Sequence, residues 1–319
     1  MATKLDPMIP IMERRPFGRT GLSVSVLGFG GAPIGFLQTD RDRAATILSF
    51  LLDHGVNLID TAASYQGSEE LIGQAIGQRR DDYVLVSKCG QKVPGVEGQD
   101  WSAQLISETV DRSLKRLRTD RLDVMLLHSC SLDVLQRGEA LGALAKARDA
   151  GKVRFAGYSG DNDAAAYAAT LTDVAVIETS INIADQANIE RVLPAARKND
   201  VGVIAKRPIA NAAWKSPERQ PGMYKSYAEP YMQRLRKMNL SPADFGFVGD
   251  PDSAWPELAL RFTLSFPEVH SAIIGTTNPD NARRNFDAAG RGPLPPDSVA
   301  KIRAAFHHAD PTGAWEGLT

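Results

Sequence analysis

Short apolar runs that stop at an ionisable residue, each followed by a helical pattern, recur along this chain and restrict what it can fold into. Asp60 and Tyr65 close the segment NLIDTAASY, Lys88 closes YVLVSK and His128 closes LDVMLLH. Repeated strand–helix units with polar residues at the carboxyl ends of the strands describe one face of a (β/α)8 barrel. An Asp/Tyr/Lys/His set gathered there suits one kind of chemistry, the protonation of a carbonyl as hydride arrives.

The periodicity predicts strands over 26–29, 57–60, 83–87, 122–127, 153–157, 174–178, 201–205 and 271–274. Their cores (VLGF, NLID, YVLVS, LDVMLL, VRFAG, VAVIE, VGVIA and SAII) are short and mostly apolar, as strands covered on both faces should be. Helical patterns alternate with them. Over 40–54, Ala44, Ile47, Leu48, Leu51 and Leu52 form one stripe at 3.6 spacing, with Thr39 as the expected cap and Gly55 as the expected left-handed stop. Ser102 should start a second helix with Ile106, Val110, Leu114 and Leu117 inward, and a third should run 132–149 up to Gly151. Parallel strands need such crossovers, and eight of them suggest closure into a barrel. An open doubly wound sheet is the competing fold. Its fingerprint fails here, because Gly28-Phe-Gly30-Gly31-Ala-Pro33 carries proline where the last glycine belongs.

Before the first strand, RRPFGRTGLSVSVL reads as a β-hairpin around Arg19-Thr20-Gly21 that plugs the amino-terminal end of the barrel. The stretch 207–256, rich in Pro, Tyr and Trp, reads as an elaborated loop with short helices over the opposite, carboxyl-end face. The expectation is one barrel domain over 1–319. The length prior alone allows about two domains, but α/β barrels run long as single units.

Composition narrows the function classes. A net charge of −1 with acids and bases interspersed gives no field for nucleic acid or anionic membranes. No apolar run reaches 18 residues, and the start MATKLDPMIPIMERR lacks a signal peptide's apolar core, so a cytoplasmic protein is expected. Cys89 and Cys130 follow Lys88 and His128 closely and match no zinc or thioredoxin spacing. They read as reduced thiols, with a redox pair near the site as the alternative.

At these residues the chain resembles the aldo-keto reductase superfamily, from about Arg15 to the neighbourhood of Trp315. The motifs are the hairpin with GFGG, DTAASYQGSEELIG, the VSK strand, RLRTDRLDVMLLH, GKVRFAGYS and IIGTTNPDNARRNF, in that order. The resemblance implies a (β/α)8 barrel that reduces aldehydes and ketones with NADPH, with NADH as the less common coenzyme. It also implies that Asp60, Tyr65, Lys88 and His128 form the catalytic tetrad. The chemistry agrees: a donor must face the carbonyl oxygen, and a neighbouring Lys88 should lower the pKa of Tyr65 from the phenol value of about 10.

By the same resemblance the loop Gly275-Thr276-Thr277-Asn278, before a helix starting near Pro279, holds the adenosine phosphates, with Asn281 and Asn285 on the adenine side. Gly30, Gly31 and Asp60 border the coenzyme site, and Lys206-Arg207 would meet the pyrophosphate. Some positions depart from the family pattern. Gly275, Thr277 and Asn281 supply no cation for a 2′-phosphate, which leaves Arg283 and Arg284 as substitutes. Ser159-Gly160 replaces a Ser-Asn pair, Glu178 replaces a Gln, and Ile181 replaces the tyrosine that stacks on the nicotinamide. Trp101 and Trp214 lie on post-strand loops where a substrate pocket would form.

Two further readings compete. A non-catalytic NAD(P)H-binding sensor subunit would share the fold. A metal-dependent barrel hydrolase would need a His/carboxylate cluster, whereas one histidine stands at a strand end here and no metal is expected. The partner implied is a small carbonyl compound, or the corresponding alcohol or sugar.

Overall fold

The computed structural model describes residues 11–220, 222 and 224–318. Ten strands form: β1 (Arg14–Pro16), β2 (Ser23–Ser25), β3 (Leu27–Gly30), β4 (Leu58–Asp60), β5 (Val84–Cys89), β6 (Leu122–His128), β7 (Val153–Ser159), β8 (Val176–Ser180), β9 (Gly202–Lys206) and β10 (Ser271–Ile274). Strands β3 to β10 pair in parallel around a closed barrel, and β1 pairs antiparallel with β2. The eight expected strands are present within two residues of their predicted ends. Several run one or two residues further, because the polar residues at their carboxyl ends stay in the ladder: Lys88 pairs with Leu126, and His128 with Ser159.

Alternation along the strands divides the apolar residues into two sets. Leu58, Val84, Val86, Val124, Leu126, Val176, Ile204 and Ile273 form the barrel interior. Phe29, Ile59, Leu85, Met125, Leu127, Ile177 and Val203 face outward and pack under the helices. Helix Arg41–Asp53 buries the predicted stripe of Ala44, Ile47, Leu48, Leu51 and Leu52. Its cap is Asp40 rather than Thr39, since the Asp40 carboxylate accepts the Arg43 N–H at 2.8 Å while the Thr39 hydroxyl finds no partner. Ser102 caps Ala103–Leu117 as expected. The single helix expected over 132–149 is two, Leu132–Arg137 and Glu139–Asp149, divided where Gly138 takes a left-handed conformation (φ 74°).

The region 207–256 also departs from expectation. Alongside short 3₁₀ turns it contains the 15-residue helix Tyr224–Met238 and the start of Pro251–Leu264. Pro230 and Pro256 stand inside these helices, where a proline argues against helix in a sequence. Burial of Ala228, Tyr231, Met232, Leu235 and Met238 along one face of the first helix outweighs that penalty.

The hairpin closes the amino-terminal end. Phe17 is fully buried in the interior cluster, and Arg19 donates to the carbonyls of Asn199 (2.9 Å), Leu171 and Thr172 (both 3.0 Å), close to the starts of β8 and β9. This plug needs two glycines. A Cβ on Gly202 would stand 2.7 Å from the Phe17 ring, and one on Gly18, itself at φ 51°, would stand 2.4 Å from the Gly202 nitrogen. Phe17→Ala should therefore destabilise the fold by about 3–5 kcal/mol, the range for truncating a buried aromatic. Denaturant unfolding checks this; a loss below ~1 kcal/mol would mean that the hairpin merely rests on the barrel.

Candidate active site

The alternation that builds the interior also places the charges. The last interior position of each strand follows two residues after an apolar one: Asp60 after Leu58, Lys88 after Val86, His128 after Leu126, Glu178 after Val176 and Lys206 after Ile204. Polar and ionisable groups thus converge at the carboxyl ends of the strands. Tyr65 arrives from the loop after β4. That loop is pinned by Thr61 N–H to Val86 O (2.9 Å), Ala63 N–H to Lys88 O (3.1 Å) and Tyr65 N–H to Ala62 O (3.0 Å).

The four residues expected to act together do meet. The Lys88 ammonium donates to Asp60 Oδ1 at 2.5 Å and to the Thr61 carbonyl at 3.0 Å, and it lies 3.2 Å from Glu178 Oε2. It also stands 5.2 Å from the centre of the Tyr65 ring. The Tyr65 ring meets His128 edge to face at 5.7 Å and Phe36 at 5.4 Å. Ser64 Oγ contacts His128 Nδ1 at 3.3 Å, and Gln91 bonds the His128 carbonyl at 3.1 Å.

The electrostatics of this cluster differ from the sequence expectation in one respect. Lys88 does favour the Tyr65 phenolate, but burial outweighs it, assisted by Asp60 and Glu178, and Tyr65 is held above the ordinary phenol value. Tyr65 is therefore a neutral phenol at physiological pH. Burial opposes the Lys88 charge, yet Asp60, Glu178 and Tyr65 more than offset it and keep Lys88 protonated. Burial and Glu178 push Asp60 well above the usual carboxylate range against the pull of Lys88. His128 is held well below the usual imidazole value by burial and by Lys88, Lys206 and Arg207.

Above these groups opens a cavity of about 1340 Å³. A small-molecule site usually spans roughly 300–1,000 Å³, so this one has room for a dinucleotide and a small second compound together. Its wall holds Asp60, Tyr65 and His128, with Phe36 against Tyr65, and includes Trp214. Ser159 and Glu178 also line it, the Ser159 hydroxyl donating to Glu178 Oε1 at 3.3 Å, as do Gly30, Lys206 and Arg207. The far end holds Gly275, Thr276, Thr277, Asn281, Arg284 and Asn285 at the start of helix Pro279–Gly290. Gly275 is there for packing as well, because a Cβ would stand 2.3 Å from the Gly30 carbonyl and 2.4 Å from Pro33.

Some expected site residues lie elsewhere. Gly31 packs behind the end of β4, donating its N–H to Asp60 O at 2.7 Å, and is outside the cavity wall. Trp101 packs on Gly90 rather than lining the cavity, whereas Trp214 lines it and stacks on Trp255 at 5.7 Å. Arg283 pairs with Asp280 at 3.2 Å and stands over Phe50, away from the cavity. Arg284, held by the side-chain oxygen of Asn281, is the one of that pair in the wall. Lys206 pairs with Asp161 at 3.0 Å, and Arg207 bonds the carbonyl of Leu318. Cys89 and Cys130 are both buried, and burial raises both thiols, Cys130 to about 12.

Sequence reasoning missed the clamp on the carboxyl-terminal segment. Gly317 exchanges hydrogen bonds with Asn162 (2.7 and 2.9 Å), and Leu318 N–H donates to Asp185 at 3.0 Å. It also missed Phe36, Gln91, Tyr224 and Tyr227 as cavity residues. Nothing in the local sequence marks contacts that span more than 130 positions. The aromatic content of 207–256 was the available signal for the two tyrosines.

Among the described residues no group of three metal-ligating side chains gathers, and no helix is long and apolar enough to cross a membrane. Comparison with known proteins agrees with the geometry. The model of the Aldo/keto reductase family matches residues 26–306. The chain is 28% identical to L-galactose dehydrogenase of Arabidopsis thaliana over 87% of its length and 88% of that protein's. It is 27% identical to the NADH-specific methylglyoxal reductase of Escherichia coli over 87% of its length and 93% of that protein's. An aldo-keto reductase from Bacillus halodurans, solved in its holo form, superposes with a TM-score of 0.75 at 28% identity. That alignment covers 92% of this chain and 96% of the other.

The surroundings of His128 make a direct expectation. Its imidazole should stay neutral at pH 6, below the ordinary value of about 6.5, and should charge only in stronger acid. Imidazole nitrogen shifts followed by NMR, assigned with a His128→Gln variant, decide this. A midpoint at or above 6.5 would mean that the ring is more solvated than its contacts imply.

Proposed function

The chain belongs to the aldo/keto reductase family, and from that premise we propose that it is an enzyme moving hydride between a nicotinamide coenzyme and a small aldehyde or ketone, or the corresponding alcohol or sugar. The observation that carries the reading is the convergence of Tyr65, Lys88, Asp60 and His128 at one end of a cavity large enough for both reactants. When bound, the reduced coenzyme supplies the hydride.

Tyr65, neutral and half-buried in the cavity wall, gives its phenolic proton to the carbonyl oxygen as negative charge develops there. Lys88 stabilises the phenolate left behind, and Asp60 with the Thr61 carbonyl fixes the ammonium in place. His128 orients the carbonyl. With Nδ1 engaged by Ser64, Nε2 is the nitrogen left for a ligand, and the neutral ring can donate a hydrogen bond without adding charge. Ser159 and Glu178 face the nicotinamide portion, while Lys206 and Arg207 approach the pyrophosphate and Gly275, Thr276, Thr277, Asn281 and Asn285 take the adenosine end. Phe36, against Tyr65, and Trp214, also in the cavity wall, would contact the substrate.

Tyr65→Phe should lower kcat by roughly 10²–10⁴-fold while coenzyme affinity stays within about twofold, since only the proton donor is lost. Turnover of an aldehyde panel, followed by coenzyme absorbance beside a coenzyme titration, checks it. Near wild-type turnover in the variant would end the assignment. A wild-type protein that binds coenzyme but turns over no carbonyl would favour the sensor reading.

The coenzyme contact follows from the two arginines. Arg284 is in the cavity wall and Arg283 is not, so Arg284→Ala should weaken NADPH binding several-fold and leave NADH nearly unchanged, whereas Arg283→Ala should change neither. The Arg284 contribution should shrink with added salt, as an exposed phosphate contact does. Dissociation constants for both coenzymes at low and high ionic strength test this; an NADPH preference that survives Arg284→Ala would place the 2′-phosphate elsewhere.

A further inference from the structure

One ammonium faces two carboxylates beneath the cavity. Lys88 Nζ is 2.5 Å from Asp60 Oδ1 and 3.2 Å from Glu178 Oε2, and none of the three residues is more than 2% exposed. Asp60 and the Thr61 carbonyl already fix the ammonium in place. Glu178 adds little to that. Its Oε2 is near Lys88 but off the line of a hydrogen bond, Oε1 accepts the Ser159 hydroxyl at 3.3 Å, and the carboxyl group lies against that of Asp60. A carboxylate buried with so little hydrogen bonding is costly; it compensates the charge of Lys88 without fixing the ammonium's position.

The group that feels this charge is Tyr65. The titratable and charged side chains acting on it come from five strands or strand ends: Asp60, Lys88, His128, Glu178 and Arg207, with Lys206 acting on His128. Lys88 and Arg207 favour the phenolate, Asp60 and Glu178 oppose it, and His128 is neutral. Glu178 is the member of this set whose charge can be removed without freeing Lys88.

We propose that Glu178 is a positioning residue for the proton chemistry of Tyr65: its carboxylate offsets the Lys88 ammonium, keeps the phenol protonated, and biases the site toward giving a proton to a carbonyl rather than taking one from an alcohol. The proposal rests on the hydride-transfer reading above. In carbonyl reduction the carbonyl carbon would gain the hydride, two electrons included, that a bound reduced coenzyme would supply, the C=O π pair would take the Tyr65 proton, and a phenolate would remain on Tyr65. Alcohol oxidation runs the same bonds backward with an oxidised nicotinamide and needs that phenolate first. Glu178 therefore raises the pH at which oxidation begins and extends the range over which reduction operates.

The test is Glu178→Gln, which keeps the shape and removes the charge. With 4-nitrobenzyl alcohol and the oxidised coenzyme, the rising limb of the pH–rate profile should move about one pH unit lower, the effect of one nearby charge in a partly screened interior. With 4-nitrobenzaldehyde and the reduced coenzyme, the falling limb should move the same way. Superimposable profiles would overturn the proposal, even with altered coenzyme affinity, and would make Glu178 a coenzyme contact only. Two further measurements cover a variant that fails to fold. Glu178→Asp, which keeps the charge, should leave both limbs near wild type. In the wild-type protein, phenolate difference absorbance against Tyr65→Phe should show Tyr65 still protonated at pH about 10. Ionisation of Tyr65 well below that would sink the proposal without any need for turnover. Absence of turnover with both probes would count against the hydride-transfer reading, and the same phenol titration on Glu178→Gln, expected about one pH unit below wild type, would still judge Glu178.

Discussion

A buried ammonium sets the terms for everything around it. Lys88 is 1% exposed, and an isolated charge at that depth would still cost several kcal/mol after relaxation. It is tolerated because Asp60 and the Thr61 carbonyl accept from it and Glu178 adds a second negative charge within 3.2 Å. Those partners sit on three different elements, β4, the loop after it and β8. The barrel must close in its observed register for the charge to be satisfied, and the charge in turn penalises any slip of that register. A one-residue slip of β5 would turn Lys88 outward into the apolar layer of Leu85 and Leu127.

The two ends of the barrel divide the work. At the amino-terminal end, Phe17 fills the interior and the hairpin's arginine caps strand-entry carbonyls, all without ionisable chemistry. Between the ends lie layers of Val, Leu and Ile that exclude water from below the charged cluster. With little solvent beneath to screen them, a few nearby charges decide the protonation of Tyr65 and His128. Bulk net charge has almost no influence there.

How much of this was legible in the sequence follows from which forces are local. The strands were readable because both of their faces are apolar, and Asp60, Lys88 and His128 were readable because period-two alternation puts these three strand-end residues in the interior register, whereas Tyr65 lies in the loop after β4 and was readable only from its motif. Boundaries slipped where Lys88, Cys89 and His128 continued the ladder past the last strongly apolar residue. The cap passed from Thr39 to Asp40 because only backbone geometry decides which of two adjacent capping residues takes the role. Helix Tyr224–Met238 was hidden by Pro230, whose local penalty is outweighed by tertiary burial that a window of sequence does not contain. The sign of the net shift on Tyr65 was misread for a related reason. The Lys88 attraction is visible as a residue type in a motif, while desolvation is a property of the assembled wall.

The same reasoning explains why Asp161 and Lys206 matter to the site without lining its reactive end together. Lys206 lies opposite Ser180 across the β8–β9 pair, at the end of the interior register that also carries Glu178, and its ammonium needs an acid of its own. Asp161, buried and drawn below the usual carboxylate range against its own burial by Lys206 and the Ser180 N–H, takes the second ammonium at 3.0 Å. The carboxyl-terminal clamp closes over this pair through Asn162, Ser180 and Arg207. The two buried cations, on β5 and β9, thus have different acids, Lys88 beside Asp60 and Glu178 and Lys206 on Asp161.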